Sequence, residues 1–312
     1  MISYSIVIPV KDEAGSLPTL HKEITGVFNK LEREYEIIFI DDGSTDESSK
    51  IISNLQKTDK NIKLVSFRAN FGKSEALSQG FSLALGEVII TLDADLQDDP
   101  SEIIKLIKKL EEGYDLVSGW RKKRADSLTK RVSSFLFNGV SSLISGVKLH
   151  DFNCGLKVFK KEVADEIYLH GELHRFIPIL AAKKKFKVSE VIVNHRPRKF
   201  GLSKYGKLGV GRSWKGMLDL LTAIFVSDFA SKPAHFFGAI GLLLFSVGFF
   251  ADLYVACLKI LTGTTQGKIP LLLAGILSML LGVQLLSTGL IAEMITYFLA
   301  QKNKAKNLVK KS

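Results

Sequence analysis

Two stretches near the end of this sequence are too apolar for the surface of a water-soluble fold and too long to hide in its core. Ala234 to Ile260 is interrupted by Asp252 and Lys259, and Ile269 to Ala300 by Gln284 and Glu293. Each exceeds the roughly 20 residues that cross a bilayer. A buried hairpin of core helices is the soluble alternative, but two such helices are hard to cover in a chain of 312 residues. The segment SKPAH before the first stretch and QKNKAKNLVKKS after the second are basic, whereas the connecting TGTTQGK carries one lysine, Lys268. Lys and Arg collect on the cytoplasmic side of spanning helices, so an integral inner or plasma membrane protein with both termini in the cytoplasm is expected. The opening MISYSIVIPVKDE has no cleavable signal pattern, which keeps the preceding region on the same side.

That preceding region alternates between two periods. Tyr4–Val10, Glu36–Ile40, Ile62–Phe67, Glu87–Leu92 and Tyr114–Ser118 are short runs rich in Val, Ile and Phe, as buried parallel strands require. Helical patterns over 17–33, 46–58, 73–85 and 101–112 fall between them, with Asp46 as a candidate N-cap and Pro100 at a first turn. Strand–helix alternation of this kind predicts an α/β fold, a parallel-rich sheet with helices on both faces. The expected layout is a catalytic domain over 1–205, amphipathic juxtamembrane helices over 206–232, the two spans within 233–301, and a basic tail over 302–312. Net charge is +11, with the acids concentrated before residue 115 and the bases in 121–131, 183–215 and the tail. A basic chain of this kind suits an anionic partner: nucleic acid, a lipid surface or a phosphorylated substrate. Cys154 and Cys257 stand far apart in unrelated contexts and define neither a disulfide framework nor a zinc site. No GxGxxG follows the first strand and no GxxxxGK[ST] occurs, so any nucleotide is held by other means.

Open α/β sheets bind ligands at the carboxyl ends of their strands. There the sequence reads PVKDE, DDGSTD, RANFGKSEA, DADLQ and SGWRKKR in turn, each polar or charged. The fourth is the most demanding, because TLDADLQDDP places Asp93, Asp95, Asp98 and Asp99 directly after Val88-Ile89-Ile90. In an extended segment alternate residues point the same way, so Asp93 and Asp95 can face one ligand, with Gln97 on the same parity. All-oxygen ligands of this kind suit Mg²⁺ or Mn²⁺ shared with a diphosphate. A solvated acidic turn is the plain alternative. A phosphatase using an aspartyl-phosphate is another, although its DxD follows the first strand. Asp41 and Asp42 close the second strand where a carboxylate can accept hydrogen bonds from a base or ribose, and Asp12 and Glu13 follow the first. His21, His150, His174 and His195 lack metal-ligand spacing, and packing or surface roles are expected for them and for Cys154.

Taken in order, VIPVKDE, IIFIDDGSTD, NFGKSEALSQGF, LDADLQDDP and SGWR resemble the family 2 glycosyltransferases of GT-A fold. More narrowly the chain resembles the polyprenyl-phosphate branch, relatives of dolichyl-phosphate mannose synthase, over about residues 3–210, with a two-span hairpin like that of membrane-anchored bacterial members. The resemblance implies a donor-binding set of Pro9, Asp12, Glu13, Asp41, Asp42, Lys73, Asp93, Ala94, Arg198, Ser203 and Lys204, the last three from RPRKFGLSKY. It implies Asp93, Asp95 and Gln97 around Mg²⁺ or Mn²⁺, and Arg121, Arg131 and Ser134 on the acceptor phosphate. Asp151, in HDFNCGLKVF, matches an acid often assigned as catalytic base, and joins Asp95, Arg121 and Arg131 as the candidate catalytic set. Leu156 departs from the Phe that many members have there.

The implied reaction is an inverting transfer of one sugar from a nucleotide-diphosphate donor, UDP-glucose first, to a polyprenyl phosphate such as undecaprenyl or dolichyl phosphate. No nucleic-acid partner is expected. A phosphate monoester has a second pKa of about 6 and is already mostly ionised at neutral pH, so Asp151 has little need to remove a proton and can orient groups instead. The basic run RKKRADSLTKR and the helix-like spacing of Leu128–Val147 and Lys207–Phe229 suit the headgroup layer where a lipid-borne phosphate sits. A processive polysaccharide synthase of the same fold is less favoured because Arg212-Ser213-Trp214 does not supply the Q-x-x-R-W motif, and an inactive membrane-anchored binding module is disfavoured by the intact DxD. Gln284 and the small residues of the spans permit helix association, and a homo-oligomer is expected.

Overall fold

Two neighbouring interior strands of the sheet are sealed on both faces, as their unbroken apolar runs require. In β1 (Tyr4–Val10) Ile6, Val7 and Ile8 are fully buried, as are Ile37 to Ile40 of β2 (Tyr35–Asp41). Full burial of each such side chain stabilises by about 1.5–3 kcal/mol. The computed structural model describes residues 2–122, 138–139, 141–142, 145–197, 222, 225, 232–265 and 267–308. The chain divides into two units, Met1–Ala223 and Ile224–Ser312.

The first unit holds a 7-stranded sheet in the order β3-β2-β1-β4-β6-β5-β7, adding β3 (Ile62–Ser66), β4 (Val88–Thr91), β5 (Leu116–Trp120), β6 (Lys157–Lys160) and β7 (Val188–Ile192). β1 pairs in parallel with β2 and β4, β2 with β3, and β5 with β7, whereas β6 runs antiparallel to β4 and β5. This is the parallel-rich α/β sheet that the alternation predicts, with one reversed strand inserted. The sequence reading named neither β6 nor β7. KVFK and VSEVI are short and interleaved with Lys, Ser and Glu, so their apolar signal is thin.

Helices cover both faces. On one face α1 (Leu17–Leu31) and α4 (Ile103–Glu111) share a core with Ile6, Ile8, Ile37 and Phe39. The buried positions of α4, Ile103, Leu106, Ile107 and Leu110, follow the i, i+3, i+4, i+7 stripe of an amphipathic helix. α2 (Ser48–Thr58) also borders that core through Ile52. On the other face α3 (Lys73–Leu83) lies on β1 so closely that a Cβ on Gly80 would stand 2.2 Å from Val7 Cγ1, and its Phe81 meets Phe159 of β6 edge-on at 5.4 Å. Two short helices follow, α5 (Lys161–Glu166) and α6 (Ile177–Lys183). Two local expectations shift. α2 begins at Ser48 rather than Asp46, and Asp46 instead accepts the amides of Ser48 at 2.9 Å and Ala14 at 3.1 Å, tying the β1 and β2 loops together. The helix expected from 101 opens as a 3₁₀ turn, Pro100–Glu102, capped by the Asp99 side chain, before α4 proper.

The second unit is a hairpin of α7 (Pro233–Thr262) and α8 (Ile269–Leu308). Within Pro233–Thr262 and Ile269–Phe298 the mean hydropathy reaches 2.0 and 2.3, and most of their apolar side chains are exposed. Helices this apolar and this exposed are not core helices, and 30 residues apiece reach roughly 45 Å at 1.5 Å per residue. Small residues set their contact: a Cβ on Gly248 would fall 2.4 Å from the Gly275 carbonyl, and one on Gly241 2.7 Å from that of Gly282. Ser278 Oγ donates to the Leu244 carbonyl at 2.8 Å, and Glu293 accepts the Ala234 amide at 3.1 Å. Gly263 closes α7 in the left-handed conformation, φ 72°, with its amide on the Lys259 carbonyl.

Candidate active site

The carboxyl ends of β1, β2 and β4 come together because these strands are parallel and in register. Pairing of Val10 with Asp41 and of Val7 with Thr91 brings the segments that follow to one edge. At β1 and β2 the acids are committed to backbone. Asp12, at φ 46°, accepts the Thr45 amide at 2.6 Å, and this bond, opposed by partial burial and assisted by the Thr45 hydroxyl and Lys11, holds its carboxyl below the usual range. The amides of Asp12 and Glu13 donate to Ser44 and Ser48. Asp41 accepts the Ser44 amide at 2.9 Å, and Asp42 accepts those of Phe71 at 2.7 Å and Gly72 at 3.0 Å. Asp42 thereby clasps the β3–α3 loop, a structural duty that the sequence reading did not foresee. Pro9 is a half-buried strand residue paired with Ile40.

After β4 the chain turns sharply. Leu96 adopts φ 60°, a conformation costing a branched side chain about 1–3 kcal/mol. It is held there because Ala94 and Leu96 both enter the core. The segment is a turn rather than the extended run expected, yet burial alternates along it: Ala94 and Leu96 are buried, while Asp93, Asp95 and Gln97 are partly exposed. Asp95 accepts the Gln97 amide at 3.1 Å. Asp93 is met by Lys73 Nζ at 2.5 Å. Burial opposes ionisation of Asp93, but the charge and hydrogen bond of Lys73, aided by Lys157 and His174, hold its carboxyl below the usual range. Asp98 behaves oppositely. Burial, then the charge of Asp93, push it up to about 6 against the pull of Arg121. Its Oδ1 is buried with no hydrogen-bond partner among the described residues. Gly155 explains how the two acids approach: a Cβ there would lie 2.6 Å from Asp93 Cγ and 2.7 Å from Asp98 Oδ2.

A small cleft opens beside Asp93, lined by Lys73, Thr91, Asn153, Gly155, Lys157 and His174 among others. Lys157 is buried, donates to the Cys154 carbonyl, and has its pKa lowered, first by burial. His174 is held well below its ordinary value by burial and then by Lys73, and its Nδ1 pairs with Ser74 Oγ at 3.0 Å. Neither Lys157 nor His174 was singled out as a site residue from the sequence.

β5 ends in Trp120, stacked on His150 at 3.9 Å, and then Arg121. Arg121 grips Asp151 as a fork, Nε to Oδ2 at 2.8 Å and Nη2 to Oδ1 at 3.1 Å. Burial works against the guanidinium charge, yet Asp151 outweighs it and raises the arginine further. Asp151 is 1% exposed. Buried Cys154 packs against this pair, its thiol pushed upward by burial. The acid turn is also fastened to the segment after β7. Asp98 and His195 form an antiparallel bridge, the Arg196 amide donates to the Gln97 carbonyl, and the Arg196 side chain joins Asp99 at 2.8 Å and Glu23 at 2.7 Å. Arg131, Ser134, Arg198, Ser203 and Lys204 lie outside the described residues.

Among the described residues no three His, Cys, Asp or Glu side chains form a self-sufficient cation cage. The all-oxygen donors Asp93, Asp95 and Gln97, with the orphaned Asp98 oxygen beside them, fit a hard divalent ion that draws its remaining ligands from a bound diphosphate.

A mixed sheet with acids and cations gathered at its carboxyl edge is the architecture of nucleotide-sugar transferases, and the comparisons agree. Residues 5–168 match the family described as Glycosyl transferase family 2. The chain is 34% identical over 307 residues to the dodecaprenyl-phosphate galacturonate synthase of Rhizobium johnstonii, covering 95% of this chain and 89% of that one. It is 34% identical over 293 residues to the undecaprenyl-phosphate 4-deoxy-4-formamido-L-arabinose transferase of an Enterobacter species, covering 93% and 87%. Among solved structures it is similar to mannosyl-3-phosphoglycerate synthase from Rubrobacter xylanophilus, with TM-score 0.56, 16% identity, and 73% and 75% of the two chains covered. It is also similar to glucosyl-3-phosphoglycerate synthase from Mycobacterium tuberculosis in complex with Mn²⁺ and UDP-glucose, with TM-score 0.54, 15% identity, and 72% and 79% covered. The chain belongs to glycosyl transferase family 2 and is a glycosyltransferase of GT-A fold carrying two apolar C-terminal helices.

Proposed function

We propose that the protein moves one sugar, with inversion, from a nucleotide-diphosphate donor to a polyprenyl phosphate at the cytoplasmic face of the membrane. The observation that carries this reading is the pairing of the LDAD acids with the forked Arg121–Asp151 pair at one sheet edge. The names of two relatives matched over nearly the whole chain, both acting on polyprenyl phosphates, support the acceptor. UDP-glucose is the first donor to test, followed by UDP-linked galacturonate and 4-deoxy-4-formamido-arabinose, the sugars in those relatives' names.

In this reading Asp41 and Asp42, with Asp12 and Glu13, meet the nucleoside. Asp93, Asp95 and Gln97 hold Mg²⁺ or Mn²⁺, which stabilises charge on the departing diphosphate as a Lewis acid. Arg198, Ser203 and Lys204 add donors to the same phosphates. Arg121, Arg131 and Ser134 receive the acceptor phosphate, whose second pKa of about 6 leaves it anionic at neutral pH, so positioning rather than proton removal is what the site must supply. Asp151 serves that need by fixing the plane of Arg121. Residues 1–205 form the cytoplasmic catalytic domain, 206–232 the juxtamembrane helices, 233–301 the spans and 302–312 a cytoplasmic tail, in a homo-oligomer.

The test is transfer of radiolabelled sugar from a panel of UDP- and GDP-sugars into organic-extractable lipid, with and without EDTA. The expected result is EDTA-sensitive labelling of lipid from one donor. Label that stays aqueous with every donor and both polyprenyl phosphates would sink the reading.

A further inference from the structure

The chain supplies a cation of its own at the place where a metal ion is proposed. Lys73 Nζ meets Asp93 Oδ1 at 2.5 Å, and both side chains retain solvent access, 30% for the lysine and 34% for the acid. Beside them the buried Asp98 oxygen has no hydrogen-bond partner among the described residues, and both acids crowd the Cβ position of Gly155. The nearby Arg121 is committed to Asp151 through two hydrogen bonds. The end of β4 therefore gathers several carboxylates beside two ammonium groups: Lys157, buried and bonded to the Cys154 carbonyl, and the partly exposed Lys73, a point charge on a flexible stem. A lysine is the residue suited to such a duty, because it holds a carboxylate without the planar fork that would make the pairing rigid. Lys73 is also the first residue of α3, on the loop whose amides Asp42 fixes, so its backbone stays in place when the side chain swings.

We propose that Lys73 is an exchangeable counter-ion: the Lys73–Asp93 pair opens when a divalent cation and a nucleoside diphosphate arrive together, the carboxylate passing to the cation and the ammonium to a phosphate oxygen. This rests on the cation-dependent donor site proposed above. Either ligand alone has to break the pair and leave one half without a new partner. Together they satisfy both halves, so each raises the affinity of the other beyond the chelation of the metal by the nucleotide in solution.

The experiment uses the full chain in detergent micelles, with Mn²⁺ binding followed by electron paramagnetic resonance and UDP or GDP binding by calorimetry. In the wild type, Mn²⁺ alone binds weakly and a saturating nucleoside diphosphate strengthens it. Lys73→Gln is expected to bind Mn²⁺ alone on the order of tenfold more tightly, since a repelling charge is gone, and to bind the nucleotide more weakly. Lys73→Arg keeps the charge and keeps the weak binding of Mn²⁺ alone. A folded Lys73→Gln protein whose affinity for Mn²⁺ alone is unchanged or lower overturns the inference. So does a wild type in which the two ligands bind independently, a measurement that needs no variant. If neither protein binds Mn²⁺ with or without nucleotide, the proposed metal site itself falls, and this inference falls with it.

Discussion

The ends of β4 and β5 each carry an acid paired with a cation, and they pair it in different ways. Asp93 meets Lys73 through one contact, in a cleft, beside other acids. Asp151 meets Arg121 through two, and is sealed from solvent. A guanidinium fork fixes direction as well as charge, whereas an ammonium is a hydrated point charge that changes partners readily. On this reading the β5 end is a permanent mount for a phosphate-facing arginine, and the β4 end is a socket kept closed until its ligands arrive.

The contrast can be broken in several places. The largest effect is expected from Asp95→Asn, which removes a proposed cation ligand without touching the Lys73–Asp93 or Arg121–Asp151 pair. Transfer should fall by about 10² to 10³ or more, while the thermal midpoint of the cation-free protein stays near that of the wild type. A matching loss of stability would mean that the β4 acids are structural. Next comes stability itself. Asp151→Ala leaves a buried arginine uncompensated and is expected to cost about 3–5 kcal/mol, against a clearly smaller loss for Asp93→Ala, whose lysine can reach solvent. Equal losses in thermal unfolding would erase the distinction between mount and socket.

A third effect has opposite signs at neighbouring acids. Asp98 has a folded pKa raised to about 6, so the cation-free protein loses stability as pH rises from about 4 through 6. Asp98→Asn should flatten that slope and stabilise the protein at pH 7 by at most about 3 kcal/mol. Asp93, held low by Lys73, contributes stability above the usual carboxylate range that disappears on acidification. If Asp98→Asn leaves the stability profile between pH 4 and 6 unaltered, the carboxyl is not held protonated. The smallest change is expected in the pH–rate profile of Asp151→Asn. A lower plateau with an unaltered shape between about pH 6 and 9 fits an orienting acid. A profile whose ascending acidic limb is lost would make Asp151 the base after all.

How much of this was written in the chain varies by element. β1, β2 and the LDAD turn were readable because their evidence is local: unbroken apolar runs, then an alternation of acids with Ala94 and Leu96. The hairpin of α7 and α8 was readable for the same reason. β6 was not, since KVFK has four residues and lysine at both ends, and its reversed direction is a property of the sheet rather than of the segment. The partnerships that shape the site were the least visible. Arg196 reaches Glu23 across 173 positions, Arg121 finds Asp151 across 30, and Lys73 finds Asp93 across 20. A single sequence carries no record of such distances. That Asp42 bonds the amides of Phe71 and Gly72 could not be read from the sequence either, because it depends on where the β3–α3 loop passes.

Gly155 has a bearing on how such enzymes diversify. With the carboxyl groups of Asp93 and Asp98 already occupying the space a methyl would take, the floor of the cleft cannot be reshaped by enlarging that residue. Alanine at 155 would drive the Asp93 and Asp98 carboxyl groups out of their present positions, so variation in this cleft has to come from its other walls.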